Sequence, residues 1–168
     1  MKRILRIIVV SVCMVMVVLC FSIQGQAKVN SKAKKLTKEF TNYAAYIAMY
    51  KNGGTKNFSS GVKRKEACQY NLAYENGQSF QKVSKRLFGK KSPYGKAFMG
   101  EWGADSPYLT NFKMIKQGGG RYVIKARLMS ETDMGYDERW GDVKLYVKKS
   151  KKSPYGYVAT RLWVKANM

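Results

Sequence analysis

The segment Arg121-Tyr122-Val123-Ile124-Lys125-Ala126-Arg127-Leu128-Met129 sets the fold class, because apolar and basic side chains alternate along it. In an extended chain, successive side chains point to opposite faces of a sheet. The apolar set is Tyr122, Ile124, Ala126 and Leu128, and the opposite set contains Arg121, Lys125 and Arg127. This period of two predicts a half-buried strand with one basic face.

Three further segments show the same alternation. Their apolar positions are Tyr108, Thr110, Phe112 and Met114, then Val143, Leu145 and Val147, and finally Val158, Thr160, Leu162 and Val164. Gly118-Gly119-Gly120 joins the first strand to the second, and residues 151–156 join the third to the fourth. Such short links connect antiparallel neighbours, so a curved antiparallel sheet of four or more strands is expected, with four strands over about residues 108–166.

Residues 31–88 have helical periodicity instead. Leu36, Phe40, Tyr43, Ile47 and Tyr50 recur at spacings of three and four, which predicts a helix over residues 31–51 with Ser31 as N-cap. Further helices are expected over residues 62–75 and 80–88. Helices followed by strands predict an α+β fold, in which residues 28–168 form a single domain with its helices packed on an antiparallel sheet.

This order of elements resembles the cystatin-like and nuclear-transport-factor-2-like superfamily. The resemblance rests on the order of the elements and on the hairpins over residues 121–129 and 143–164, and it covers about residues 31–167. It implies N-terminal helices packed into the concave face of a curved sheet. Enzymes of that group commonly use a His or Asp in a polar pocket, whereas this chain has no His and an apolar inner strand face. The resemblance therefore implies an exported, non-catalytic member.

The first 27 residues have the order of a secretory signal peptide. Lys2, Arg3 and Arg6 precede an uncharged run over residues 7–23, and Gly25 and Ala27 are the small residues that a cleavage site needs. Cleavage is expected between Ala27 and Lys28, which predicts a secreted protein, free or retained at the cell surface. Since a membrane span needs about 20 apolar residues, an uncleaved membrane anchor is the alternative.

The chain is strongly basic, with 32 Lys and Arg against 10 Asp and Glu and a formal net charge of +22. Such a charge favours anionic partners, which outside a cell include wall polymers, acidic glycans, anionic lipid and DNA; the alternative is a role in solubility alone. The candidate ligand-binding residues lie opposite the apolar strand positions. They are Lys125, Arg127, Lys144, Tyr146, Arg161 and Trp163.

Two interpretations of this basic and aromatic set remain open. Cations can meet the charges of a polymer while rings stack on its bases or sugars. Alternatively, the face is simply solvated, and its Tyr and Trp cover neighbouring strands. Tyr157 is expected on the same face. No nucleic-acid recognition motif accompanies the set, so nucleic acid is a partner only through charge.

Catalytic and metal-binding patterns are sparse, and neither catalytic residues, nor a metal, nor a cofactor is predicted. Cys68 follows the predicted cleavage site without any His to serve as its base, so a buried, inert thiol is expected. Glu101 and Asp105 are the best candidates for a two-carboxylate hydrolase. The acids between the second and third strands do not have the spacing of a calcium loop. They are Glu131, Asp133, Asp137, Glu138 and Asp142.

A short repeat, Lys-Lys-Ser-Pro-Tyr-Gly, occupies residues 90–95 and 151–156, and Ser106-Pro107-Tyr108 is a partial third copy. Pro followed by Tyr-Gly predicts turns; a paired ligand contact is the alternative. The sequence as a whole predicts a non-catalytic binding or accessory domain that engages an anionic surface polymer or an exported protein partner. A protein-protein module, such as an inhibitor or assembly component, is the alternative, and a hydrolase is the third possibility.

Overall fold

A computed structural model describes residues 26–71, 79–91, 106–132 and 134–167. In these ranges, four helices pack against one face of an antiparallel sheet, which confirms the predicted α+β class. The helices are α1 (Ser31–Lys38), α2 (Thr41–Lys51), α3 (Gly61–Gln69) and α4 (Phe80–Phe88). The strands are β1 (Gln26–Ala27), β2 (Gly54–Asn57), β3 (Ser106–Lys116), β4 (Arg121–Glu131), β5 (Asp137–Lys149) and β6 (Tyr157–Ala166). Their order in the sheet is β1-β3-β4-β5-β6-β2.

The single helix predicted over residues 31–51 is wrong, because the backbone breaks between α1 and α2. Phe40 leaves the helical region with φ −100° and ψ 7°, and the Thr41 hydroxyl donates to the Lys38 carbonyl at 2.8 Å. Without that bond, the break would leave the Lys38 carbonyl without a hydrogen-bond partner from this turn. The N-cap of α1 is Asn30 rather than Ser31, since the Asn30 side chain accepts the Lys32 amide.

The break changes the end of the predicted apolar stripe. Leu36, Phe40, Tyr43 and Ile47 are all fully buried, but Tyr50 is 58% exposed. The α4 prediction is confirmed, with Ser79 as N-cap and Gly89 in the left-handed region at φ +65°. Helix α3 ends at Gln69, short of the predicted residue 75, and residues 72–75 lie outside the described ranges.

The predicted inner face of the sheet is confirmed in β4 and β5 but is only half right in β3 and β6. Tyr122, Ile124, Ala126 and Leu128 are buried, as are Val143, Leu145 and Val147. In β6, Thr160 is an extra residue, because Arg161 pairs with Tyr146 while Ala159 pairs with Val147. A bulge reverses the sides beyond it, so Tyr157 and Ala159 are buried in place of Val158 and Thr160.

An irregularity of the same kind interrupts β3. Asn111 adopts φ +52°, and the register with β4 shifts between Thr110 and Lys113. As a result Leu109 joins Met114 on the buried side, in place of the predicted Tyr108 and Thr110. Strands β1 and β2 were not predicted, because neither is long enough to show alternation.

The Lys-Lys-Ser-Pro-Tyr-Gly copy at residues 151–156 forms the predicted turn between β5 and β6. The Gly156 amide donates to the Ser153 carbonyl at 3.0 Å, and Gly156 has φ +71°. The partial copy at Ser106-Pro107-Tyr108 is wrong as a turn, because it begins β3. Residues 92–95 of the remaining copy lie outside the described ranges. No helix in the described part of the chain is both long and apolar enough to cross a membrane.

Candidate binding face of the sheet

The sheet surface that faces away from the helices carries most of the cations of the long strands, and we call it the basic face. Its residues come from β3, β4, β5 and β6. They are Lys113, Arg121, Lys125, Arg127, Lys144, Tyr146, Lys148, Arg161, Trp163 and Lys165. All six predicted ligand-binding residues are among them, because the β4–β5–β6 register places them on one side. The predicted Tyr157 is absent from this face, since the β6 bulge buries it in the core.

Three lysines of the basic face form a row across the sheet, which we call the lysine row. Lys113 lies opposite Lys125, and Lys125 lies opposite Lys144. Adjacent strands are about 4.8 Å apart, and like charges directly opposite one another destabilise a sheet. In the described ranges, no carboxylate lies within ion-pair distance of any of the three. The row therefore concentrates positive charge without internal compensation.

Two rings of the basic face are paired with cations. The Lys144 Nζ atom lies 4.0 Å from the centroid of the Trp163 ring, and the Arg161 guanidinium lies 3.7 Å from the centroid of the Tyr146 ring. Such contacts are worth about 0.5–1 kcal/mol at exposed sites, and they fix the position of a flexible cation. Val123, beside Tyr146 in the register, is only 4% exposed, so the rings also cover the strands, as the alternative interpretation expects.

Two open depressions lie on the basic face, one toward each end of β4. The first, of about 390 Å³, is lined by Arg121, Tyr146, Lys148 and Arg161 together with polar groups that include Asn57 and Gln117. The second, of about 550 Å³, is lined by Lys113, Lys125 and Arg127 and by the pair of Arg139 and Asp142. Each depression therefore offers several cationic donors to an anionic ligand.

One acidic residue lies on the basic face itself, because Asp142 stands between Arg127 and Lys165 in the strand register. Both carboxylate oxygens of Asp142 accept from Arg139 at 2.8 Å, so this acid forms an exposed ion pair. Asp137 faces Glu131 where β4 and β5 meet their connecting loop. A hydrogen bond to Asp137, then desolvation and the nearby negative charges, raise the pKa of Tyr108. In the described ranges, no group of three or more potential ligands lies close enough to hold a metal ion.

On the helix side of the sheet, carboxylates form ion pairs with basic side chains. Glu39 accepts from Arg86 at 2.9 Å, from the Asn71 side chain at 2.7 Å and from the Tyr155 hydroxyl. The side chains of Glu39 and Arg86 are each only 17% exposed. Since Tyr155 belongs to the β5–β6 turn, this cluster ties the turn to the break between α1 and α2.

A second paired cluster lies between β2 and α3. Glu66 is within 3.3 Å of Lys56 Nζ and within 3.2 Å of Lys63 Nζ. Desolvation opposes ionisation of Glu66, but the hydrogen bond from Lys63 and the charge of Lys56 outweigh it and lower its pKa. Burial, followed by the charge of Glu66, raises the pKa of Tyr43. These groups support one another within the fold, which is the role expected of compensated charges.

The remaining predicted residues have mixed outcomes. Cys68 is buried, as expected. Glu101, Asp105 and Asp133 lie outside the described ranges, as do residues 1–25 of the predicted signal. The predicted cleavage position falls at the end of β1, where Ala27 pairs with Met114. Lys113 was missed, although its position next to the apolar Met114 places it on the opposite face; its register with Lys125 depends on the irregularity at Asn111.

No protein-family model matches this chain, and no curated protein or solved structure is significantly similar to it.

Proposed function

We propose that this protein is an exported, non-catalytic binding domain that engages an anionic polymer at the cell surface through its basic face. The lysine row is the observation that carries the proposal. Three cations placed side by side raise the local positive potential, and an anionic ligand would relieve their mutual repulsion. The predicted signal peptide supplies the location. As part of the same proposal, the chain resembles the exported, non-catalytic members of the cystatin-like and nuclear-transport-factor-2-like superfamily.

A polymer suits the basic face better than a small anion does. Arg121 and Arg127, which line the two depressions, are six residues apart in β4, or about 20 Å at 3.3 Å per residue. A ligand that reaches both depressions must therefore carry negative charge over that length. Each added contact releases counterions from the polymer, so the affinity should fall steeply as salt rises.

The test is a salt series of binding by the purified protein to duplex DNA, anionic vesicles and an anionic wall polymer. The variant Lys125→Glu, Arg127→Glu, Lys144→Glu, Arg161→Glu reverses four charges of the basic face. We expect it to lose at least about tenfold in affinity and most of the salt dependence. The matched control reverses four exposed lysines on α1 and α4, Lys32, Lys35, Lys82 and Lys85, and should retain binding.

Equal binding by the two variants would overturn the basic face as the site. No binding to any of the polymers at low salt would overturn the polymer proposal as a whole. A stoichiometric protein complex that persists at high salt would instead support the protein-protein alternative, because salt screens apolar burial little.

A further inference from the structure

The loop between β4 and β5 carries the two most exposed large hydrophobic side chains of the described ranges, and they stand among acids. Met134 is 80% exposed and Tyr136 is 70% exposed. Residues 131–142 hold five carboxylates against the single Arg139, a net charge of −4 in a chain of +22. Met and Tyr are both enriched at protein-protein interfaces. We call the described residues of this loop the acidic tip, and they are Glu131, Met134, Tyr136, Asp137 and Glu138.

The acidic tip is closed by hydrogen bonds of its own backbone. The Thr132 amide donates to the Tyr136 carbonyl at 3.0 Å, and the Gly135 amide donates to the Thr132 carbonyl at 2.8 Å. The Tyr136 amide also donates to the Thr132 hydroxyl, at 3.3 Å. The side chains of Met134 and Tyr136 take no part in these bonds. A loop that is already ordered loses less entropy when it binds, so these two side chains are well placed as anchors.

A basic depression lies at the other end of the sheet, and we call it the turn depression. It has a volume of about 550 Å³, and it is formed by the β5–β6 turn and the start of α1. In the described ranges, no carboxylate lies within ion-pair distance of its lysines. Its rings and cations complement a tip that presents a ring and a thioether among acids. These lining residues are Lys32, Lys149, Lys151, Tyr155 and Tyr157.

The acidic tip cannot reach the turn depression of its own molecule. Asp137 and Lys149 are the two ends of β5, a strand of 13 residues that spans about 40 Å at 3.3 Å per residue. We infer that the acidic tip of one copy of the protein docks into the turn depression of a second copy. Because the two surfaces differ, the contact is head to tail, and each complex keeps one free tip and one free depression. The contact can therefore repeat to form chains.

The turn depression suits the tip better than its neighbour at the same end of the sheet does. The depression of the basic face beside Arg121 is smaller, at about 390 Å³, and its ring, Tyr146, already lies under Arg161. The other depression of the basic face, beside Arg127, contains the carboxylate of Asp142, which would repel an acidic tip. The turn depression has two rings and, among the described residues, no acid in its lining.

The positive net charge of each copy opposes self-association, but only at low salt. At about 0.1 M salt the screening length is about 10 Å, which is shorter than the molecule. Charges in direct contact then outweigh the repulsion between the rest of the two copies. A contact made by one loop is small, so we expect weak association that is visible at high protein concentration.

Sedimentation equilibrium of the purified protein tests this, at about 0.1 M salt and from about 10 μM to about 1 mM protein. The average mass should rise with concentration and pass that of a dimer. The tip variant Met134→Ser, Tyr136→Ser should stay monomeric, as should the depression variant Lys149→Glu, Lys151→Glu. The matched control Lys82→Glu, Lys85→Glu makes the same change of charge on exposed positions of α4 and should associate like the parent.

A mixture of the two variants gives the sharpest result. The tip variant keeps its depression, and the depression variant keeps its tip. An equimolar mixture should therefore form a dimer with one copy of each variant and no larger species, because both remaining ends are inactive. Formation of that dimer also shows that both variants are folded.

Four outcomes would overturn the inference. A parent protein that stays monomeric to about 1 mM would exclude self-association, and binding to a polymer in the separate salt series would leave the proposed function intact. Dimers of the depression variant alone would show that two tips meet. A mixture that stays monomeric would show that the two surfaces are not complementary. Association kept by the depression variant but lost in Arg121→Glu, Lys148→Glu would move the contact to the basic face.

Discussion

The two sides of the sheet use charge in opposite ways. On the helix side, the carboxylates of Glu39 and Glu66 lie among donors, and each forms an ion pair with a basic side chain. On the basic face, Lys113, Lys125 and Lys144 stand side by side with no carboxylate of the described ranges within ion-pair distance. Breaking a buried ion pair destabilises a fold, whereas crowded like charges destabilise it while they remain in place. Under the proposed function, an anionic ligand on the basic face would relieve that repulsion.

The largest expected effect comes from breaking the helix-side cluster. Glu39→Ala removes the acceptor of Arg86, Asn71 and Tyr155 and leaves a largely buried guanidinium without its carboxylate. We expect the free energy of unfolding to fall by about 3 kcal/mol, as for other buried pairs that lose one partner. Urea unfolding of the variant and the parent measures this fall in the free energy of unfolding.

Asp142→Ala is the matched control for that change. Its pair with Arg139 is about as short, at 2.8 Å against 2.9 Å for Glu39 and Arg86, but it is exposed, with side chains 37% and 44% accessible. Exposed pairs contribute about 0–1 kcal/mol, so this variant should unfold almost like the parent. If Glu39→Ala and Asp142→Ala lost equal free energy of unfolding, the buried pair would contribute no more to stability than the exposed pair, which contradicts this prediction.

A smaller effect is expected at Tyr155. Burial, then the hydrogen bond to Glu39, raises the pKa of its hydroxyl above the usual value near 10. The folded state therefore keeps this proton longer than the unfolded state does. The stability that it provides is fully present below about pH 10 and is lost as the pH rises further.

Tyr155→Phe should lower the free energy of unfolding by about 2 kcal/mol at neutral pH, because a hydrogen bond to a charged group is lost. It should also reduce the loss of stability between about pH 10 and pH 11. Urea unfolding at both pH values checks both effects. Tyr146→Phe, which keeps the ring beneath Arg161, is the control and should match the parent at neutral pH. An unchanged alkaline loss in Tyr155→Phe would show that this hydroxyl does not couple to folding.

The sequence predicted the sides of the sheet where alternation is unbroken, and it failed where one residue interrupts it. In β4, and in β5 beyond its own irregularity at Trp140, the alternation is regular, so Lys125, Lys144 and Tyr146 were placed correctly. The extra Thr160 in β6 reverses the sides of the strand beyond it, so Tyr157 is buried and Val158 is only half-buried. A bulge leaves no trace in hydrophobic periodicity, because it is decided by pairing with the neighbouring strand.

The prediction of the candidate site was also correct only where the strands are regular. The six predicted residues share one face, because Arg161 and Trp163 lie on the regular side of the β6 bulge. Periodicity could not show that Lys113, Lys125 and Lys144 form a single row, since this needs the register of three strands. Nor could it show that the rings lie under cations, since that depends on side-chain conformations. The lysine row and the cation contacts of the two rings could therefore be found only in the three-dimensional structure.

The smallest expected effect has the opposite sign. Lys125→Glu, in the middle of the lysine row, replaces two like-charge neighbours with two favourable ones and should raise the free energy of unfolding by about 0.5 kcal/mol. The gain should vanish at high salt, because the row is solvated.

Lys56→Gln is the control on the other side of the sheet. It removes a pair with Glu66 at 3.3 Å and should lower stability by a similar amount. Urea unfolding of both variants at low and at high salt measures the direction of each change in the free energy of unfolding. If Lys125→Glu destabilised the protein at low salt, the lysine row would be contributing to the fold, and its claim to be a ligand site would lose its physical basis.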